Sequence, residues 1–117
     1  MRRSQFEQVV DEALEDLPDW VIDAVSNLHV VVEDSPTREQ DPDGTGLLGI
    51  YEGVSLLDRG VDYSGYLPDR IVVFMRPHLG LGLSKTDLKA EIRTTVLHEV
   101  AHHLGIDDDR LAELGWD

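Results

Sequence analysis

Apolar residues near the start of the chain recur with the spacing of an amphipathic helix. They fall at intervals of three and four residues, which places them on one helical face: Phe6, Val9, Val10, Ala13, Leu14 and Leu17. Pro18 ends this helix and suits the first position of a second, short helix that carries Trp20, Val21, Ala24 and Val25. The pattern therefore predicts two consecutive helices within the first 25 residues.

Three short β-branched or apolar runs follow, and each is typical of a strand. They are LHVVVED, with a strand at about residues 28–33, LLGIYEG at 47–53 and RIVVFM at 70–75. The first two are separated by SPTREQDPDGTG, a polar loop rich in helix and strand breakers. Most of the segment between the second and third is turn-like. The middle of the chain therefore predicts a small sheet.

A long helix is predicted after the loop PHLGLGLS. Ser84 can cap it, and Asp87 in its first turn suits both the capping geometry and the helix dipole. The helix should run to about His103 or Leu104, where Gly105 supplies the left-handed residue that ends it. Asp107 or Asp108 can cap a short last helix with Leu111 and Leu114. The order α-α-β-β-β-α-α predicts one α+β domain over residues 1–117, with a small mixed sheet of three to four strands packed against helices.

Composition narrows the classes of partner. The chain has 24 acidic and 10 basic residues, for a formal charge of −14, so we expect neither nucleic acid nor an anionic membrane as a partner. It has no cysteine, which excludes disulfides and Cys-based zinc sites. The N-terminal segment lacks the apolar run of a signal peptide, and no apolar stretch is long enough to span a membrane. We therefore expect a cytoplasmic location, while the oligomeric state stays undefined.

The long helix carries His98-Glu99-Val100-Ala101-His102, the H-E-x-x-H pattern of zinc hydrolases. Residues four apart on a helix differ by about 40° around its axis, so His98 and His102 can reach one ion. Glu99 lies close enough to take a proton from a zinc-activated water without being a ligand. The apolar residues Val96, Leu97, Val100, Ala101 and Leu104 define the opposite, core-facing side of this helix. A solvated polar helix face is the alternative interpretation of the same residues.

A catalytic zinc site needs a third protein ligand. Few residues follow His102, so we expect this ligand from the last residues or from upstream. Gly105 allows the chain to reverse, and Asp108 is spaced to return beneath the two histidines with an oxygen suited to zinc. Asp107 would then cap the last helix. Asp109 and Asp107 remain competitors for the ligand position.

The segment TVLHEVAHHLGIDDDRL resembles the H-E-x-x-H-x-x-G-x-x-D segment of small, actinobacterial-type, zincin-like predicted metallopeptidases. The similarity extends upstream to GLLGIYEGVSLLDRG and YLPDRIVVFMRP, and it covers about residues 45–115. It implies a minimal zincin fold with a long active-site helix, one Zn²⁺ ion held by His98, His102 and Asp108, and Glu99 as the base. The segment is also similar to metzincins, but their third histidine is replaced by Asp108 and no methionine follows the motif.

These observations predict a zinc metallopeptidase that cleaves peptides or an extended protein segment. By resemblance, the strand at 47–53 would pair with the substrate backbone. One alternative is a metal-binding regulatory or interaction module with little or no hydrolytic activity. Another is a metal-dependent ribonuclease, which the charge of −14 and the position of Glu99 both disfavour.

The remaining histidines and the tyrosines are secondary candidates. We interpret three histidines, His29, His78 and His103, as structural or surface residues. Three tyrosines are candidate donors to a developing oxyanion, although a core or rim position is the simpler interpretation of each: Tyr51, Tyr63 and Tyr66.

Overall fold

A computed structural model describes residues 1–25, 29–52, 70–103, 109, 110 and 113, apart from the side chains of Trp20, Ala24, Val25, His102 and His103. Within these residues the order of elements is α1 (Arg3–Glu15), α2 (Asp19–Val25), β1 (His29–Glu33), β2 (Gly49–Glu52), β3 (Arg70–Phe74), α3 (Met75–Leu79) and α4 (Lys85–His103). The predicted α+β class with a small mixed sheet is confirmed.

The two predicted N-terminal helices are both present. Most of the periodic apolar positions are buried, namely Phe6, Val9, Val10, Ala13 and Leu17. The helix α1 ends at Glu15 rather than at Leu17, but the Leu17 side chain still packs into the core. The helix α2 begins at Asp19, one residue later than predicted. Pro18 directly precedes it, and the Pro18 carbonyl accepts hydrogen bonds from the backbone N–H groups of Val21 and Ile22.

The sheet has the strand order β1-β3-β2. The strand β1 runs parallel to the central β3, whereas β2 runs antiparallel to it, with Gly49 opposite Val73 and Tyr51 opposite Ile71. Alternate residues of a strand share one face, so Ile71 and Val73 lie on the side that packs against the helices. Arg70 of the central strand forms ion pairs with Glu33 of β1 and Glu52 of β2.

The segment after β3 differs from its prediction. Residues Met75–Leu79 form α3, where the sequence pattern predicted the end of a strand and then a loop. Pro77 is compatible with this helix because it lies in the first turn, where a backbone N–H has no helical acceptor. The predicted breaker Gly80 instead ends the helix, and its N–H donates to the Arg76 carbonyl.

The long helix α4 follows its sequence signals closely. The Ser84 hydroxyl accepts a hydrogen bond from the Asp87 N–H at 3.2 Å, as a helix cap should. One face of α4 completes the core with α1 and the sheet through Leu88, Ile92, Val96, Leu97 and Val100. Gly105 and most of the predicted last helix, including Leu111 and Leu114, lie outside the described residues, although Asp109, Arg110 and Glu113 have helical backbone.

Candidate metal and peptide site

The motif lies in the second half of α4, where the helix passes beneath β2. Val96, Val100 and Ala101 are fully or almost fully buried, so they anchor this half of the helix to the core. His98 and Glu99 are half-buried on the remaining surface of the helix. Both side chains line a pocket of ≈ 290 Å³ between α4 and the residues that lead into β2. The structure thus brings the first two residues of the motif into one cavity.

The predicted zinc ligands are described to different extents. His98 lines this pocket, and its Nε2 atom is shielded from solvent. His102 lies one helical turn further along α4, but its ring is outside the described residues, as are Asp107 and Asp108. Asp109 is described and is exposed. Among the described side chains, no three His, Asp or Glu residues form a group that could hold a metal ion.

Glu99 is held by the edge of the sheet. Its Oε2 atom accepts a hydrogen bond from the backbone N–H of Tyr51 at 3.0 Å. This N–H points away from β3, because Phe74 N–H donates to the Leu48 carbonyl and antiparallel strands alternate bonded and non-bonded pairs. The backbone of β2 therefore orients the carboxylate of the motif. The backbone atoms of Tyr51 perform this role, while its side chain packs against the core.

Gly49 permits the close approach of β2 to α4. A Cβ atom at this position would lie 2.5 Å from the Thr95 Cγ2 atom and 3.1 Å from the Val72 carbonyl oxygen. The first separation is far below van der Waals contact, and Thr95 is a branched residue with little freedom to move away. Any other residue would therefore push β2 away from the helix turn that carries His98 and Glu99.

Asp41 organises the loop that leads into β2. Its carboxylate accepts hydrogen bonds from the Thr45 hydroxyl and from the backbone N–H groups of Thr45, Gly46 and Leu47. These bonds, the Thr45 N–H first among them, hold the pKa of Asp41 below its usual value. The loop therefore presents Leu47 to the pocket from a defined position.

His78 is a polar core residue behind the site whose contacts the sequence did not reveal. It is fully buried on α3, where its Nδ1 lies 2.8 Å from the Phe74 carbonyl oxygen and its Nε2 lies 3.0 Å from the Thr95 hydroxyl. Burial lowers the pKa of His78, although the Phe74 carbonyl and the charge of Glu91 partly oppose this effect. The structural role that we predicted for His78 agrees with this position. A single histidine in a Pro- and Gly-containing segment carries no signal for its partner.

The remaining secondary candidates are one histidine at the start of β1 and three residues whose side chains the structure does not describe. His29 begins β1 and is exposed. The side chain of His103, like Tyr63 and Tyr66, lies outside the described residues.

Comparison with known proteins agrees with this fold. A model of the zincin-like metallopeptidase family matches residues 25–116, which include all the sheet residues and the whole of α4. The chain belongs to this family. A solved structure of a conserved hypothetical protein from Thermo thermophilus is similar to this zincin-like chain, with a TM-score of 0.60 and 25% sequence identity over 99% of this chain and 100% of that one.

The zincin-like chain was also compared with curated proteins and searched for membrane-spanning helices. A comparison with curated proteins finds no match. In the part of the chain that the structure describes, no helix is both long enough and apolar enough to cross a membrane. The family is metallopeptidase-like, and its members depend on zinc.

Proposed function

We propose that this chain is a single-domain zinc metallopeptidase, of the small actinobacterial type, that cleaves peptides or an extended protein segment. The observation that carries the proposal is the hydrogen bond between the Glu99 carboxylate and the backbone of β2, within a pocket that His98 also lines. A solvated helix face would not require a motif carboxylate to be oriented by a strand edge. Membership of the zincin-like family supports the same reaction class.

The donor set fits zinc. Imidazole nitrogen and carboxylate oxygen are preferred zinc ligands, and His98, which lines the pocket, has an Nε2 atom that is shielded from solvent. We propose that His98, His102 and Asp108 hold the ion. When bound, zinc would supply Lewis-acid chemistry by polarising the substrate carbonyl and acidifying a water.

Glu99 would act as the general base. Its proposed task is to accept the proton of the attacking water and to pass it to the leaving amine. A base must be held in a productive orientation, and the Tyr51 N–H supplies that restraint through Oε2. The restraint is made by backbone atoms, so it does not depend on the identity of residue 51.

The outer edge of β2 is the proposed site for the substrate backbone. Gly49 and Tyr51 form the non-bonded pairs with β3, so their N–H and carbonyl groups face away from β3. The Tyr51 N–H donates to Glu99, so the proposed groups for the substrate are the Gly49 N–H and the carbonyls of Gly49 and Tyr51. An extended peptide that pairs with such an edge gains main-chain hydrogen bonds and lies across the helix turn with His98 and Glu99. This arrangement would place a peptide bond beside the base.

The Glu99→Gln variant tests the reaction. Glutamine keeps an oxygen for the Tyr51 N–H but has little basicity, so we expect zinc content to stay unchanged and peptide cleavage to fall about 10²- to 10⁴-fold. Cleavage of a peptide library, read by mass spectrometry, measures the loss. The exposed Glu39→Gln provides a control with the same change of charge. Cleavage by Glu99→Gln at the wild-type rate would contradict the role assigned to Glu99. A wild-type protein that binds zinc but cleaves no peptide would favour the metal-binding module.

Metal analysis of variants tests the ligand set. We expect purified His98→Ala and Asp108→Ala to lose zinc, because two remaining ligands hold the ion weakly. Asp109→Ala is the matched control and should keep the wild-type zinc content. Full zinc occupancy in Asp108→Ala would show that another residue is the third ligand, and loss of zinc in Asp109→Ala would point to that aspartate.

A further inference from the structure

The pocket beside the motif extends well beyond His98 and Glu99. It continues along α4 for two helical turns toward the N-terminus, past Thr94 and Thr95 to Glu91. Glu91 precedes His98 by seven residues, which corresponds to about 10 Å along the helix axis. At ≈ 290 Å³ the cavity can hold one large side chain rather than a whole substrate.

The walls of the pocket change in character along its length. One wall is apolar and consists of Leu47 and Leu48, both half-buried. On the opposite wall, the Thr94 hydroxyl donates to the Ala90 carbonyl in the preceding turn of α4, and the Thr95 hydroxyl lies 3.0 Å from the Glu91 carbonyl oxygen and 3.0 Å from His78 Nε2. The pocket is therefore lined mainly by hydrocarbon and by oxygen atoms that can accept hydrogen bonds.

The end of the pocket furthest from the motif carries a negative charge. Glu91 contributes its half-buried side chain there, and none of the described lining residues is Lys or Arg. The contact between Glu91 and the Thr95 hydroxyl is made by the backbone carbonyl of Glu91, so it does not occupy the Glu91 carboxylate. A carboxylate beside an apolar wall favours a cation that has a long hydrocarbon stem.

We infer that this pocket binds a Lys or Arg side chain of the substrate, next to the scissile bond, and that Glu91 determines this specificity. The inference rests on the proposed peptidase function. The aliphatic stem would pack against Leu47 and Leu48 while the cationic group pairs with Glu91. An acidic side chain would be repelled by Glu91 and Glu99, and the formal charge of −14 favours basic peptides generally.

Direct binding tests the pocket without requiring turnover. Three fluorescent peptides of identical length differ only at one central residue, which is Lys, its uncharged analogue norleucine, or Glu. Fluorescence anisotropy measures their affinity for the zinc-loaded Glu99→Gln protein. We expect the Lys peptide to bind about tenfold more tightly than the norleucine peptide, an advantage limited by the partial exposure of Glu91.

Variants of Glu91 in the same Glu99→Gln background locate the effect. Glu91→Gln should bring the Lys and norleucine peptides to equal affinity, and Glu91→Lys should make the Glu peptide the tightest of the three. Glu39→Gln removes the same charge at an exposed turn outside the pocket and should keep the preference for Lys. Two different substitutions at Glu91 keep the test decisive if one of them fails to fold.

The outcomes separate this inference from the proposed function. Equal or weaker binding of the Lys peptide, or absence of binding by all three peptides, would overturn the inference. A preference that Glu39→Gln reduces as much as Glu91→Gln would also overturn it, because the cause would then be the overall charge. Peptide cleavage by the wild type without preference for Lys or Arg would support the peptidase function and contradict the specificity of the pocket. A Glu91-dependent preference in a protein that cleaves nothing would support the pocket and contradict the peptidase function.

Discussion

His78 makes one hydrogen bond to β3, at the Phe74 carbonyl, and one to α4, at the Thr95 hydroxyl beside the candidate site. The Thr95 hydroxyl lies within bonding distance of both His78 Nε2 and the Glu91 carbonyl, but it has only one proton to donate. A neutral His78 that donates from Nδ1 to the Phe74 carbonyl needs that proton at Nε2. Protonation of His78 would instead turn the Thr95 hydroxyl toward Glu91. The folded state therefore favours neutral His78 in the tautomer that carries its proton on Nδ1.

The lowered pKa of His78 predicts a pH dependence of stability. Below the ordinary histidine pKa of about 6.5 the unfolded chain binds a proton that the folded core resists. The free energy of unfolding should therefore fall as the pH drops from 7.5 to 5.5, by at most about 1.4 kcal/mol per pH unit from this group. Well above pH 7.5, where His78 is neutral in both the folded and the unfolded chain, the group should contribute no slope.

Urea unfolding of metal-free protein at several pH values measures this dependence. His78→Gln, which can keep both hydrogen bonds but does not titrate, should flatten the slope relative to the wild type. His29→Gln replaces an exposed histidine and should leave the slope unchanged. Identical slopes for the wild type and His78→Gln would contradict the assignment.

At the scale of elements, the contact between β2 and α4 builds the site. Gly49 brings the strand against Thr95, and two residues later the Tyr51 N–H meets Glu99 one helical turn further on. The alternation of bonded and non-bonded pairs with β3 determines which backbone groups face the helix. A shift of one residue in this register would turn the Tyr51 N–H toward β3 and leave the carboxylate without it.

Gly49→Ala tests this contact. The added methyl group would overlap the Thr95 Cγ2 atom, so β2 must move, which should cost about 1–3 kcal/mol of stability. A displacement near 1 Å at Glu99 should lower the cleavage rate by about 10²-fold. Thr95→Ser removes the overlapping methyl group but keeps the hydroxyl beside His78, so we expect it to restore part of both losses in the double variant. Additive losses in the double variant would show that the two residues do not act through this contact.

The sequence predicted those elements whose signals are local. The Ser84 cap, the apolar spacing of α4 and the H-E-x-x-H pattern all lie within one segment, and the helix follows them from Lys85 to His103. The helix α3 was missed because Pro77 and Gly80 suggest a loop, although their positions in the first turn and at the end of a helix are compatible with it. The strand order and the Tyr51–Glu99 bond depend on pairing between distant segments, which single-sequence periodicity does not encode.

At the scale of the whole molecule, the core and the proposed metal site are separate. The buried cluster joins α1, α2, β1, β3 and α4, and it includes Phe6, Val9, Val21, Ile71 and Ile92. His98 and Glu99 lie outside this cluster on the opposite surface of α4. We therefore expect the described core to fold without a bound ion, in contrast to small zinc domains that are unfolded without metal.

Removal of metal tests this separation. We expect protein treated with a chelator to keep its helical circular dichroism and a cooperative thermal transition, at a lower Tm than the zinc-loaded form. Zinc that binds only the folded chain should stabilise it by about 4 kcal/mol when free zinc reaches about 1,000 times the Kd. His98→Ala is the matched control, because it lacks a proposed ligand but keeps the core, so zinc should leave its Tm almost unchanged. Loss of the cooperative transition on chelation would show that the ion holds the fold together as well as the site, and the proposed division between core and metal site would then be wrong.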